Sequence, residues 1–277
     1  MMVRNAITVL MYHAIDCPEQ TSADPHYTVR RPDFAEHLRV FHRSGRPGRS
    51  VLELLKGGGA SQAVGLTFDD GHESNLHAAE TLAAVDMSAD FFINPSAIGT
   101  TCFLSWDALR DMQQMGMSIQ SHGMTHRYLN DLSPAEVRRE LADSKATIED
   151  RLGVPVSLFA PPGGRKPEGF AQLAGELGYE AICSSDVGIW RPGAGAGASR
   201  QADLVPRLAV LATTGADRLQ RWVMGARTDI WMMQSRGRVL AMAKRAVGNQ
   251  RYERLRGMVV GGPPSDGGAS TGTGRPQ

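Results

Sequence analysis

Asp69 and Asp70 stand side by side at the end of the apolar run Val64-Gly65-Leu66-Thr67-Phe68, and further along comes Ser121-His122-Gly123-Met124-Thr125-His126. These residues offer three hard or borderline metal ligands and one spare carboxylate. Zinc in a hydrolytic site typically takes three protein ligands from His and Asp or Glu and keeps a further position for a water whose pKa it lowers toward neutrality. One Asp can then ligate while its neighbour acts as the base. Each piece alone has a blander reading. A His-x-x-x-His pair is accidental or structural in most proteins, and Asp-Asp-Gly can be a turn or a helix cap. Their combination at a strand end favours the metal.

The elements that must position these groups are legible as apolar runs at about residues 6–12, 64–68, 89–94, 117–121, 156–160, 180–184 and 205–211, fitting buried parallel strands. Helical patterns lie between them. Ser105-Trp106-Asp107 starts one that Gly116 stops, Ser133-Pro134-Ala135-Glu136 is a capping box leading a helix to about Leu152, and another runs from near Glu168 to Gly178. A further helix through His77 and Val85 follows Asp70-Gly71. Strands alternating with helices imply βαβ units, whose active groups sit at the C-terminal ends of strands, where Asp69, Asp70 and His122 fall. Periodicity alone does not separate a closed barrel from an open doubly wound sheet.

Thr67-Phe68-Asp69-Asp70-Gly71 together with His122-x-x-x-His126 resembles the first two motifs of the polysaccharide deacetylases, the NodB-homology group of carbohydrate esterase family 4. The resemblance runs from about residue 7 to about residue 211. It implies an α/β fold of the distorted (β/α)7 barrel type. It also implies a divalent cofactor, most often Zn2+, held by Asp70, His122 and His126, with Asp69 as catalytic base. The family's third motif, Arg-x-Pro-x-Gly, reads Ala160-Pro161-Pro162-Gly163-Gly164 here. Ala160 replaces the Arg that positions the catalytic Asp, and Arg165 is the candidate to reach that carboxylate instead. The backbone N–H of Gly163, beside Pro162, would then be the oxyanion donor.

Amide hydrolysis also needs a general acid, because an amine leaves poorly until protonated. All eight His residues precede residue 127, so the late His that resembling proteins use is absent. Met11-Tyr12-His13 ends the first strand, which in a closed barrel lies near the last, so His13 can fill that place by circular displacement. It resembles the Tyr-His opening of exopolysaccharide deacetylases. Asp186 and Trp190 match the fourth family motif only weakly, as an acid orienting the His and a Trp lining the pocket. Arg207, in Val205-Pro206-Arg207-Leu208, either contacts substrate or pairs with a carboxylate, and the second reading is preferred. His26, His37, His42, His72 and His77 are expected on surfaces or helix faces, and Met112, Met115 and Met117 in the core.

The 277 residues suit one barrel domain, expected over 1–215, and a net charge of +1 gives no reason to expect nucleic acid as a partner. Residues 216–260 carry ten Lys or Arg against three acidic residues and form a basic helical extension. With Trp222, Trp231, Met232 and Met233 among its arginines, this segment either packs on the barrel as solvated helices or makes peripheral contact with an anionic membrane. Residues 261–277, rich in Gly, Ser, Thr and Pro, read as a disordered tail, and Gly-Ala alternation at 193–198 as a flexible loop. Gly57-Gly58-Gly59 lacks the Lys-Ser/Thr of a phosphate loop and reads as a linker. Cys17, Cys102 and Cys183 form no CxxC pair and read as buried thiols. No signal peptide or membrane span is apparent, so a cytoplasmic location is expected, with peripheral attachment at the inner membrane surface if the basic segment binds lipid.

The expected activity is metal-dependent removal of N-acetyl groups from amino sugars of an oligo- or polysaccharide, or from a glycolipid precursor. Two alternatives remain: a deformylase or other amide hydrolase acting on a lipid-linked or non-carbohydrate substrate, and a catalytically idle carbohydrate-binding protein.

Overall fold

The computed structural model describes residues 6–16, 23–57, 62–192, 201–225 and 228–235. The Gly-Ala segment 193–198, Gly58 and Gly59, Cys17, the tail 261–277 and most of the basic extension lie outside them. In chain order the elements are β1 (Val9–Tyr12), β2 (Ala14–Ile15), β3 (Thr28–Val29), α1 (Arg31–Arg43), β4 (Gly48–Arg49), α2 (Val51–Leu55), β5 (Val64–Phe68), α3 (Asn75–Ala83), β6 (Asp90–Ile93), α4 (Trp106–Gln114), β7 (Ser118–Ser121), α5 (Pro134–Leu152), β8 (Leu158–Phe159), α6 (Phe170–Glu176), β9 (Ala181–Ser184), β10 (Asp203–Pro206), β11 (Leu208–Ala209) and α7 (Ala216–Val223).

Whether the sheet is open or closed is decided at its ends. Its strands run β10-β9-β8-β7-β6-β5-β1-β11, every pair parallel, and β4 adds to the start of β5. The terminal strands β10 and β11 are one stretch of chain broken only at Arg207: its first half pairs with β9 and its second with β1. That stretch joins both ends of the sheet, so β1, β5, β6, β7, β8, β9 and β10/β11 make a seven-stranded (β/α)7 barrel with one irregular seam. The seven apolar runs of the sequence are these seven staves, with ends within a few residues of those expected. β1, β5, β6 and β9 are buried along their whole length, as parallel strands covered on both faces must be.

The helices start and stop where their caps dictate. Ser105 accepts from the Ala108 N–H, and Ser133 and Glu136 form the reciprocal capping box of α5, which ends at Gly153 in the left-handed conformation. Outside the barrel wall, Tyr12, Phe68 and Phe91 stack at 5.1 and 4.7 Å, and Phe34 of α1 meets Phe68 edge-on at 6.1 Å. His37 lies on the inner face of α1, one of the two placements expected for it, and belongs to this layer. The Tyr12 hydroxyl donates to its Nδ1 at 3.1 Å and its Nε2–H donates to the Thr214 carbonyl at 2.9 Å. His72 is buried ahead of α3, a departure from the expected surface or helix-face placement.

The compact unit runs to Ile230, beyond the boundary expected at residue 215. α7 packs against α1, burying Leu219, Trp222 and Val223, and the Trp222 carbonyl accepts from Thr8 Oγ1 at 2.8 Å. Trp222 therefore belongs to the packed barrel and is withdrawn from any lipid-facing set. Helical residues 228–235 follow.

Candidate active site

Asp69 and Asp70 leave β5 at the C-terminal rim of the barrel. The Asp69 N–H still bonds to the Tyr12 carbonyl at 2.9 Å, which sets His13, next along β1, beside Asp69 on the rim. Asp70 and Gly71 then take left-handed φ values of 76° and 70°. For an Asp this conformation is costly, and such strain persists only where surrounding structure fixes it. Here it aims the Asp70 carboxylate at the loop after β7. Its Oδ1 lies 3.2 Å from His122 Nε2 and 3.1 Å from His126 Nε2. The ligand atoms of Asp70, His122 and His126 lie within 4.8 Å of one another.

The histidine loop is held from two sides. Asn94, just past β6, donates through Nδ2 to the carbonyls of His122 and Gly123 at 2.6 and 3.1 Å. Glu140, on the inner stripe of α5, accepts the N–H groups of Met124 and Thr125 at 2.8 and 2.9 Å, and its other oxygen accepts from the Thr125 hydroxyl. His122 donates Nδ1–H to the Ala160 carbonyl at 2.7 Å, fixing the tautomer that turns the Nε2 lone pair toward Asp70. His126, by contrast, is half-exposed and itself left-handed at φ 60°.

Asp69 is buried and clamped by Arg207, whose Nη1 and Nη2 donate to its two oxygens at 2.7 and 2.8 Å. The same guanidinium donates to Thr67 Oγ1 at 3.0 Å and to the Ser184 carbonyl at 3.2 Å. Arg207, the single residue at the seam between β10 and β11, thus supplies the cation that Ala160 lacks, as its preferred pairing with a carboxylate anticipated. Arg165 does not reach Asp69. Gly163 and Gly164, at φ 59° and 67°, lead into Arg165, and its guanidinium lies over the Tyr128 ring at 4.2 Å.

Charges in the site follow from these contacts. Burial opposes ionisation of Asp69 and Asp70, yet both stay below the ordinary carboxylate range. The Arg207 charge dominates at Asp69 and the His122 and His126 hydrogen bonds at Asp70. Burial likewise opposes a charge on His122, but the Asp70 bond and the two carboxylates raise its pKa. Groups that so favour a positive charge among themselves fit a divalent cation equally well. Two imidazole nitrogens and a carboxylate oxygen converging, one of the imidazoles already oriented from behind, form a donor set suited to zinc. Burial pulls the His13 pKa down against the pull of Asp69 and Asp70. Its Nδ1 has no hydrogen-bond partner among the described residues, and its ring packs on Tyr27 at 4.5 Å.

Other residues singled out from the sequence fall elsewhere. Trp190 does not line the site. It bonds antiparallel to Ile7 ahead of β1, donates Nε1–H to Asp203 at the start of β10 at 3.2 Å, and plugs the opposite, N-terminal end of the barrel. Asp186 pairs with Lys166 at 2.6 Å. Pro162 is buried beneath the exposed Gly163 turn. Of the thiols, Cys183 is buried, with its pKa pushed up by burial, and Cys102 is half-buried.

A mostly parallel seven-stave barrel carrying an Asp-His-His cluster and a clamped Asp on its C-terminal rim defines the class of NodB-type barrels. Comparisons with known proteins agree. The family model described as polysaccharide deacetylase matches residues 56–182. The Bacillus subtilis protein YxkH, whose name places it among the polysaccharide deacetylases, is 29% identical over 188 residues, covering 66% of this chain and 65% of its own. The peptidoglycan-N-acetylglucosamine deacetylase of Bacillus cereus is 26% identical over 121 residues, covering 43% of this chain and 54% of its own. Among solved structures, Streptococcus pyogenes deacetylase PplD in complex with acetate superposes with a TM-score of 0.70 at 26% identity, covering 79% of this chain and 98% of that one. The chain spans less than two thirds of the length of the curated relatives named here. In its family match, its relatives and its fold, the barrel is similar to the polysaccharide deacetylases.

Proposed function

We propose that the protein is a metal-dependent hydrolase that removes N-acetyl groups from amino sugars of a glycan. The observation that carries this reading is a buried, Arg-clamped carboxylate next in sequence to a converging Asp70-His122-His126 cluster. A binding module needs neither the clamp nor the ligand set, which speaks against an idle site.

Asp70, His122 and His126 would hold the metal, which when bound polarises the acyl carbonyl and acidifies the attacking water. Asp69 accepts that water's proton. Arg207 keeps it ionised and fixes its plane, leaving the second lone pair of each carboxylate oxygen to work with. His13 donates a proton to the departing amine. It does so from the imidazolium form, which the Asp69 and Asp70 charges favour against burial, and is left as the neutral imidazole. The exposed Gly163 N–H is the proposed oxyanion donor.

Incubating the protein and zinc with N-acetylated and N-formylated glucosamine oligosaccharides, and quantifying acetate and formate, tests this. The reading expects acetate, with His13→Ala lowering kcat by about 10²–10⁴-fold. Formate without acetate would move the assignment to the deformylase alternative.

A further inference from the structure

Two side chains beside the metal-ligand loop take no part in this chemistry. Tyr128 follows His126 by two residues, so their Cα atoms are at most about 7 Å apart. It is 41% exposed. Its ring edge rests on the bare α-carbon of Gly163, where an added Cβ would stand 2.7 Å from the ring. The Arg165 guanidinium lies 4.2 Å from the ring centroid. Of the neighbouring cations on the two loops, Arg127 pairs with Glu136 at 3.2 Å and Lys166 with Asp186 at 2.6 Å. Among the described residues no carboxylate lies within ion-pairing distance of Arg165.

An aromatic ring beneath a guanidinium holds the fork in place while leaving its N–H donors free, an arrangement suited to bidentate recognition of carboxylate or phosphate. The rest of the ring offers an apolar surface with a wet hydroxyl end, suited to a sugar ring. We propose that Tyr128 and Arg165 form a glycan subsite that selects substrates bearing an anionic group, carboxylate or phosphate, close to the N-acetyl group that is removed. The inference rests on the deacetylase reading for its substrate class. Both residues determine specificity and neither takes part in bond breaking.

Dissociation constants separate the subsite from the chemistry. They would be measured by calorimetry on the full chain carrying Asp69→Asn, its fold checked by thermal melting. The probes are chitotetraose as the neutral glycan, a hyaluronan tetrasaccharide as the carboxylated one, and N-acetylglucosamine against its 6-phosphate as the phosphorylated arm. At least one acidic probe should bind about tenfold or more tighter than its neutral counterpart, the strength of one charge-assisted contact. Which one does so identifies the anion. Arg165→Gln should erase that preference and leave neutral affinity within about twofold, and Tyr128→Ala should weaken all glycans that bind. Arg138→Gln, which removes an equal charge from a pair with Glu176 on the outside of α5, should change nothing.

Equal affinity for neutral and acidic probes, equal effects of Arg165→Gln and Arg138→Gln, or no binding of any probe would each overturn the subsite. If Asp69→Asn does not fold, steady-state kinetics on the native sequence give the same decision. Arg165→Gln should raise KM for the preferred acidic substrate about tenfold at nearly constant kcat, and an unchanged KM overturns it. Binding with the expected selectivity but no acetate from the native sequence would count against the deacetylase reading and leave the subsite standing.

Discussion

Arg207 is the residue on which Asp69, the proposed base, depends. It and Asp69 are both buried, so removing either partner leaves an uncompensated charge in the barrel. Arg207→Ala is expected to cost about 3–5 kcal/mol of stability in denaturant unfolding. Arg207→Lys keeps the charge but loses the two-point geometry, and should lower kcat by about 10–100-fold while zinc stoichiometry stays at the native value. Full activity in Arg207→Lys would show that orientation of Asp69 is not what Arg207 provides. Asp69, Asp70, His122 and His126 were legible because their order and spacing along the chain form motifs. Ala160 made the loss of a clamp legible as well. Its replacement was not assigned to Asp69, because no local pattern ties an arginine on the last strand to a carboxylate at the end of β5. Arg165, the near neighbour in sequence, was the wrong choice because the glycine turn carries it out to Tyr128.

The loop after β7 shows how an element is held in place to carry His122 and His126, the proposed ligands. Gly123 at φ 83° and His126 at φ 60° give it a shape that needs outside support, which Asn94 and Glu140 provide. Glu140→Ala removes three hydrogen bonds to that loop and should weaken zinc binding by about 10–100-fold in competition with a chelating dye, the usual scale for groups that orient ligands. An unchanged zinc affinity would reduce Glu140 to ordinary packing. A signal for it was present: Glu140 falls on the stripe of Val137, Leu141 and Ile148 in α5, an apolar face where an acid is out of place unless partnered. The seven strands were legible as apolar runs and the best-capped helices by their caps. α1 is not legible from its sequence pattern, although Phe34, Leu38 and Phe41 keep helical spacing, and so the inward face that His37 takes on it was hidden as well. The irregular seam was hidden too, since a break of one residue inside an apolar run leaves the hydropathy unchanged.

For the whole molecule, the (β/α)7 closure came from family resemblance and not from periodicity, which reads alike for open and closed sheets. The structure supplies the physical reason in a final strand shared between β9 and β1. Barrel stability should also carry a pH signature. Asp90 lies wholly buried inside β6, where its oxygens accept from the Val51 and Leu52 N–H groups and tie α2 to the wall. Burial outweighs the Ser118 hydrogen bond and these two contacts and pushes its pKa up to about 7. The folded state thus holds this proton more tightly than the unfolded chain, so the associated stability is complete below about pH 4 and is lost as pH rises through about 7. Between pH 5 and 8 the native protein should lose on the order of 2–4 kcal/mol from this group. Asp90→Asn should flatten that loss in denaturant melts, and an equally steep loss in the variant would assign it elsewhere. Among the described residues no helix is long and apolar enough to cross a membrane.

In the proposed mechanism Asp70, His122 and His126 hold a metal and Asp69 acts as the base beside it. The most direct test measures bound zinc and acetate release together, on the native protein, Asp69→Asn and His122→Ala. The account predicts one zinc and acetate release for the native chain. It predicts one zinc with kcat lowered by at least about 10²-fold for Asp69→Asn, and loss of both zinc and activity for His122→Ala. A native protein that binds no zinc or other divalent metal, or an Asp69→Asn protein that turns over normally, would contradict it.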